Sequence, residues 1–347
     1  MQPIHTLHDF FVRTGADARL YHMGRRVEPC PMEALISLEH DNGAWPLPWQ
    51  GEARLGIVLR LGEMSDPLIW FLALPLDEQG QLVPAPRDAF LQRLLITLGQ
   101  SAENTDSAPN HQDEIDNLMQ DNPLAFTPAL PFQAMLHARA TWDTGKPPSP
   151  HLEPVQNYLS GQQPLDWQFL GLQGLADFVV RLDNAAVAIL QQALPDLPDD
   201  VLLSLCYCLE HIDMPDTLGT ALRARGEQAA QAGELELLCA CIRAVGGASP
   251  DVAGNWYDAL LADDAACGPD LLAAMAARGW RHLEHGERLP RFLTRIAEQP
   301  KIDFTAMARD LALIPRLRLP VLMTLRGAER HTLLGQRLAG LTPDKQS

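Results

Sequence analysis

No stretch of the 347 residues approaches the 18 or more consecutive apolar residues of a membrane-crossing helix. The opening MQPIHTLHDFFVRTG lacks a basic start followed by a long apolar run, so no secretory signal is expected. Basic residues are few: 27 Lys and Arg stand against 44 Asp and Glu, a net charge of -17. That balance disfavours general nucleic-acid coating, which needs a positive field. Six cysteines are too sparse for a disulfide framework. Together these absences lead us to expect a cytoplasmic protein with reduced thiols and no membrane partner.

The signature motifs of common enzymes are missing too. There is no Gly-x-x-x-x-Gly-Lys-Ser/Thr phosphate loop, no Gly-x-Gly-x-x-Gly dinucleotide fingerprint and no Gly-x-Ser-x-Gly nucleophile elbow. Cys206/Cys208 and Cys239/Cys241 form two Cys-x-Cys pairs within apolar helical segments. On a helix, positions i and i+2 point about 200° apart, so one pair cannot aim both thiolates at one tetrahedral ion. They are expected to be core thiols. His282, Glu284 and His285 lack the His-Glu-x-x-His order of a zinc protease and are expected in a polar turn. No metal or cofactor is expected.

What is present reads as two architectures. Residues 1–100 mix helix and strand. Thr6 with Asp9 resembles a capping box, and Gly15 stops the helix behind it. Residues 19–27 alternate like a strand, and Pro31 opens a helix to about His40. Residues 53–62 place Leu55, Ile57, Leu59 and Leu61 on one face, and 68–74 is apolar on both faces, as in a central or doubly covered strand. A helix follows over 84–99. The expectation is an α+β domain with a small three-stranded antiparallel sheet.

Residues 101–150 read as an acidic, Pro-rich linker with one or two short helices, one of them near 112–120. The run from 101 to 123 has six acids and no Lys or Arg. From 151 to 341 strand signals stop. Helix starts are expected near Asp166, Asp199, Glu234, Pro269 and Phe304, with intervening starts near Asn184, Asp216, Asp251, Glu287 and Pro320. A helix pair recurring every ~35 residues is the period of an all-α, HEAT-like superhelical domain.

Candidate interaction residues lie in the first domain. Arg25 and Arg26 follow Gly24, and arginine pairs grip carboxylates or phosphates. Trp45 and Trp49 bracket a Pro-Leu-Pro segment, either as a patch for a partner or, as preferred, closing the core edge. Asp77 and Glu78 end an apolar strand. Asp77 and Gly80 suit positions i and i+3 of a type I turn, which is preferred over a catalytic carboxylate pair. The segment 278–340 carries twelve Lys and Arg against six Asp and Glu, which suits an acidic partner, a nucleic acid or this chain's own acidic linker, although solvated helix faces are preferred for most of these arginines.

TLHDFF at 6–11, MGRR at 23–26, the WFL strand leading into Leu76-Asp77-Glu78, and the helical remainder resemble a bacterial family known as domain of unknown function 3549, labelled by its LDE motif. The resemblance covers nearly the whole chain. It implies a bacterial cytoplasmic setting and no particular activity. The expected role is a non-enzymatic interaction or adaptor protein with an unknown protein partner. The alternatives are nucleic-acid binding through the basic C-terminal helices, and an enzyme acting through Asp77 and Glu78.

Overall fold

A computed structural model describes residues 4–62, 66–103, 119, 122–162 and 166–339. The chain divides into two compact units. The first is Met1–Ala129 with Leu313–Pro315, and the second is Leu130–Ala312 with Arg316–Ser347.

In the first unit, helix α1 (Leu7–Thr14) begins as its sequence predicts. The Thr6 hydroxyl accepts from Asp9 N at 2.9 Å, and the Asp9 carboxylate accepts from His5 N at 3.1 Å. A buried side chain adds to this cap. The Glu39 carboxylate, at the end of α2 (Met32–Glu39), accepts from Leu7 N at 2.7 Å and His8 N at 3.1 Å. Burial raises the Glu39 carboxyl, while those N–H groups and Arg87 pull it down.

The expected strand 19–27 is two strands, β1 (Asp17–His22) and β2 (Glu28–Cys30). Gly24 lies at the break. A Cβ there would stand 2.7 Å from the Cβ of Trp49, a separation carbon atoms do not tolerate. With β3 (Glu52–Arg60) and β4 (Leu68–Pro75) they form a four-stranded antiparallel sheet, one strand more than expected, in the order β2-β1-β3-β4. Leu20 pairs with Ile57, and Leu55 with Leu72, so the apolar positions share one face. That face is covered by α1, α2 and α3 (Pro84–Glu103). Trp70 lies 6.2 Å from the ring of Phe10 and 6.1 Å from that of Phe90.

Although β4 is apolar on both faces, it is the last strand rather than a central one. The segment 124–126 meets its outer edge: Ala73 N donates to Leu124 O at 2.7 Å and Phe126 N to Phe71 O at 3.2 Å. Covering the middle of this edge lowers its tendency to pair with other chains.

The helix expected at 112–120 falls, Met119 apart, outside the described residues. Residues 130–143, within the stretch read as linker, form helix α4 (Leu130–Asp143) in the second unit. After α5 (Leu152–Leu159) come helices α6 (Leu172–Val180), α7 (Asn184–Ala193), α8 (Asp199–Leu209) and α9 (Asp216–Ala232). Next are α10 (Leu235–Val245), α11 (Asn255–Ala262), α12 (Pro269–Arg278), the single turn α13 (Trp280–Leu283) and α14 (Arg288–Glu298). Helices α15 (Phe304–Leu313), α16 (Pro315–Gly327) and α17 (Leu333–Ala339) complete the described chain.

Most starts fall within a residue of expectation. Asp166 instead caps a 3-10 turn at 167–169, and Asp251 lies in a π-type turn at 250–254. The start expected near Pro320 is overturned. Pro320 is inside α16, which opens five residues earlier on Pro315, at a first-turn position where a missing N–H costs nothing.

Helices α6, α8, α10 and α12 lie against one another in chain order, and α4 packs on α6 and α8. Contacts recur one repeat apart. Met214 N donates to Gly247 O at 2.9 Å, and Ser249 N to the Asp216 carboxylate at 3.1 Å, both across 33 residues. All six cysteines are free thiols, and Cys206, Cys208 and Cys241 are buried core groups. The Cys206 thiol is hydrogen-bonded with that of Cys241 on α10.

His22 yields the fold's clearest pH prediction. Its ring lies on the core face, 5.0 Å from that of Trp45, with Nδ1 lacking a partner among the described residues. Burial lowers its pKa to about 4 from 6.5. The unfolded chain therefore binds the proton first, so stability is full above pH 6.5 and falls as pH drops toward 4, by about 3 kcal/mol at most. Protection factors of the β3 amides, taken against the intrinsic exchange rate at each pH, should fall over that window, and His22→Leu should flatten the response.

Candidate functional site

The first unit folds its singled-out residues into its own architecture. Arg25 and Arg26 are 0% and 2% exposed. The Arg25 Nε donates to Pro48 O at 2.8 Å, and its guanidinium lies 5.2 Å from the half-buried Trp49 ring. The Arg26 guanidinium is 4.0 Å from Glu28. Trp45 is fully buried, and its backbone N–H donates to Gly80 O at 2.8 Å. Both arginines are turned inward at the strand break: Arg25 holds the 45–49 loop, Arg26 faces Glu28, and neither offers much to an outside carboxylate.

The Leu-Asp-Glu segment is a turn. Gly80 N donates to Asp77 O at 3.0 Å, and one Asp77 carboxylate oxygen accepts from Gln79 N at 2.7 Å and Gln81 N at 2.9 Å. Gly80 has φ of +77°, the left-handed region that glycine adopts without strain. Glu78 is exposed and belongs to none of these bonds. One Asp77 carboxylate oxygen is thus engaged as a backbone cap.

The second unit holds a polar centre that spans three successive first helices. Glu210, directly after α8, is 2% exposed. Arg243 of α10 donates to it through Nε at 2.7 Å and Nη2 at 2.9 Å. Arg278, at the end of α12, adds Nε at 2.7 Å. The Arg278 guanidinium also lies 5.3 Å from the ring of Phe132 on α4, and His211 packs on the same ring at 4.6 Å. Burial alone would raise the Glu210 carboxyl. The charges of Arg278, His211 and Arg243 reverse that and hold it at about 2.

Above this clamp runs a groove of about 570 Å³ between α8, α10 and α12. Tyr207 and Leu235 form its walls, and Cys239, Ala240, Ala274 and Ala277 its floor. Small floor residues let the helices approach and leave room above them. The Arg243 guanidinium closes one side, 5.1 Å from the Tyr207 ring, with its charge matched by Glu210. Glu236 and Asp270 stand exposed at the rim, with no ion-pair partner among the described residues. Cys239 is half-buried, and burial, then Asp270, raises its thiol to about 11, so it is a neutral lining group.

The motif-level reading missed this groove, because alanines at helical spacing look like ordinary core. The 35-residue offset that aligns Glu210 with the segment carrying Arg243 was the available signal. His282 is buried, with Nε2 3.2 Å from Gly246 O and its ring on Tyr257, while His285 lies outside that contact. Among the described residues no group of three or more His, Cys, Asp or Glu is arranged to hold a metal ion, and no helix is long and apolar enough to cross a membrane.

The model of the protein of unknown function family DUF3549 matches residues 2–342, and the chain belongs to that family. No curated protein and no solved structure matches it.

Two predictions follow from these geometries. Glu210→Gln leaves two half-buried or buried guanidiniums without their anion and should destabilise the helical unit by about 3–5 kcal/mol. Because the Glu210 carboxyl is depressed from 4.5 to about 2, its contribution is full above pH 4.5 and is lost as pH falls toward 2. Urea titrations of wild type and variant should therefore differ most above pH 4.5 and converge at the acid end. At the LDE turn, Asp77→Ala should cost about 1 kcal/mol by removing a cap, and Glu78→Ala should leave the melting temperature unchanged.

Proposed function

We propose that this chain is a non-enzymatic interaction or adaptor protein of the bacterial cytoplasm, whose helical unit works as a HEAT-like superhelix. The observation that carries the reading is the groove across α8, α10 and α12. Stacked helix pairs bury their apolar sides against neighbours and leave a continuous outer surface, which such proteins use to hold other macromolecules. The occupied Asp77 carboxylate gives no support to an enzyme at Asp77 and Glu78. Arg25 and Arg26 supply no second contact in this reading, because both are buried.

The basic excess of 278–340 does not favour nucleic acid. Arg278 pairs with Glu210, Arg281 with Asp213, Arg288 with Asp258 and Arg295 with Asp264, all acids of preceding segments. Such pairs tie a helix to segments one or two repeats before it and withdraw charge from a phosphate backbone.

The test uses the tagged full-length chain and its Ala273→Trp variant, which places an indole over the groove from an exposed position. Wild type should recover a defined protein set that the variant loses at an unchanged melting temperature. Identical recoveries from both, or no specific recovery under several growth conditions, would sink the proposal.

A further inference from the structure

We infer that the groove between α8, α10 and α12 takes a short protein segment in which lysine or arginine side chains flank apolar ones. The inference deepens the interaction reading above and rests on it. Three observations select this chemistry. First, apart from Arg243 on one side, the lining between the rim carboxylates is mostly small or apolar, and Leu235 is 49% exposed, so apolar side chains gain by entering. Second, the charges left for a ligand are negative. Arg243 gives two of its donors to Glu210, whereas Glu236 and Asp270 at the rim have no cation among the described residues. Third, the Asp270 side of the groove is negative: after burial, Asp270 is the next cause raising the Cys239 thiol, ahead of the opposing Arg243, whereas at the Tyr207 hydroxyl Arg243 outweighs Glu236.

The volume fits the occupant. About 570 Å³ lies inside the range of roughly 300–1,000 Å³ typical of ligand sites, room for a few side chains rather than for a whole domain. An anionic segment would bring its charge against Glu236 and Asp270 and find two donors of Arg243 already given to Glu210. A purely apolar one would leave both rim carboxylates unmatched. A cation beside each apolar side chain satisfies both features, and electrostatic complementarity of this kind sets specificity more than affinity.

The probes are two capped tetrapeptides, Lys-Leu-Phe-Lys and Glu-Leu-Phe-Glu, titrated into the full-length chain with its alanine methyl groups labelled for NMR. Lys-Leu-Phe-Lys should shift the methyls of Ala240 and Ala274. It should bind about fivefold more tightly than its acidic counterpart at roughly 20 mM salt, and the advantage should shrink toward unity near 0.5 M. The double variant Glu236→Gln/Asp270→Asn should erase the preference without changing the melting temperature. Equal affinities, binding that leaves those methyls unmoved, or no binding of the lysine peptide overturns the inference. If the lysine peptide fails while Ala273→Trp still abolishes partner recovery, the cationic specificity falls and the interaction reading stands. If both fail, both fall.

Discussion

The helical unit depends on one buried carboxylate. Glu210 sits just beyond the end of α8 and draws its two guanidiniums from the next two first helices, α10 and α12. An ion of this kind buried alone would cost several kcal/mol, so the three helices are held to one arrangement or the charge is stranded. An apolar contact tolerates sliding, but a bidentate carboxylate–guanidinium pair at 2.7 and 2.9 Å does not. The groove above inherits that fixity, since Arg243 is both a clamp donor and a groove wall.

The same device recurs with other residues down the unit. Arg288 grips Asp258 at 2.9 and 2.6 Å, and the Arg295 Nε donates to Leu261 O at 2.9 Å. Farther on, the Arg337 Nε donates to Ala297 O at 3.0 Å. Each is an arginine of a later helix reaching back about one repeat. The sheet unit uses a related strategy at a smaller scale. Glu39 caps a helix it does not belong to, and the buried Arg25 holds the 45–49 loop. In both units the charged side chains of this acidic chain that are buried serve to fix geometry.

Local signals were legible in the sequence wherever one residue decides. Thr6, Gly15, Pro269 and the period-two run through Leu55, Ile57 and Leu59 each named their element. The ~35-residue recurrence gave the order of the helices. What stayed hidden depends on partners far along the chain. The strand break at Gly24 is set by the close approach of Trp49, 25 residues on. The edge position of β4 is masked by residues 124–126 pairing with it. The groove was invisible because alanine and cysteine spacing reads alike for a filled core and for the floor of an open one. Arg25 and Arg26 were the opposite case. Their sequence neighbourhood looked like a surface grip, and only tertiary burial shows them to be internal struts.

The central claim is that Glu210 makes α8, α10 and α12 one cooperative block beneath the groove. Native-state hydrogen exchange tests it most directly. In the wild type the amides of 199–209, 235–245 and 269–278 should open with a common free energy, and Glu210→Gln should lower all three together. If the substitution changes protection in 199–209 alone while the other two helices keep theirs, the carboxylate is a local cap and the account is contradicted.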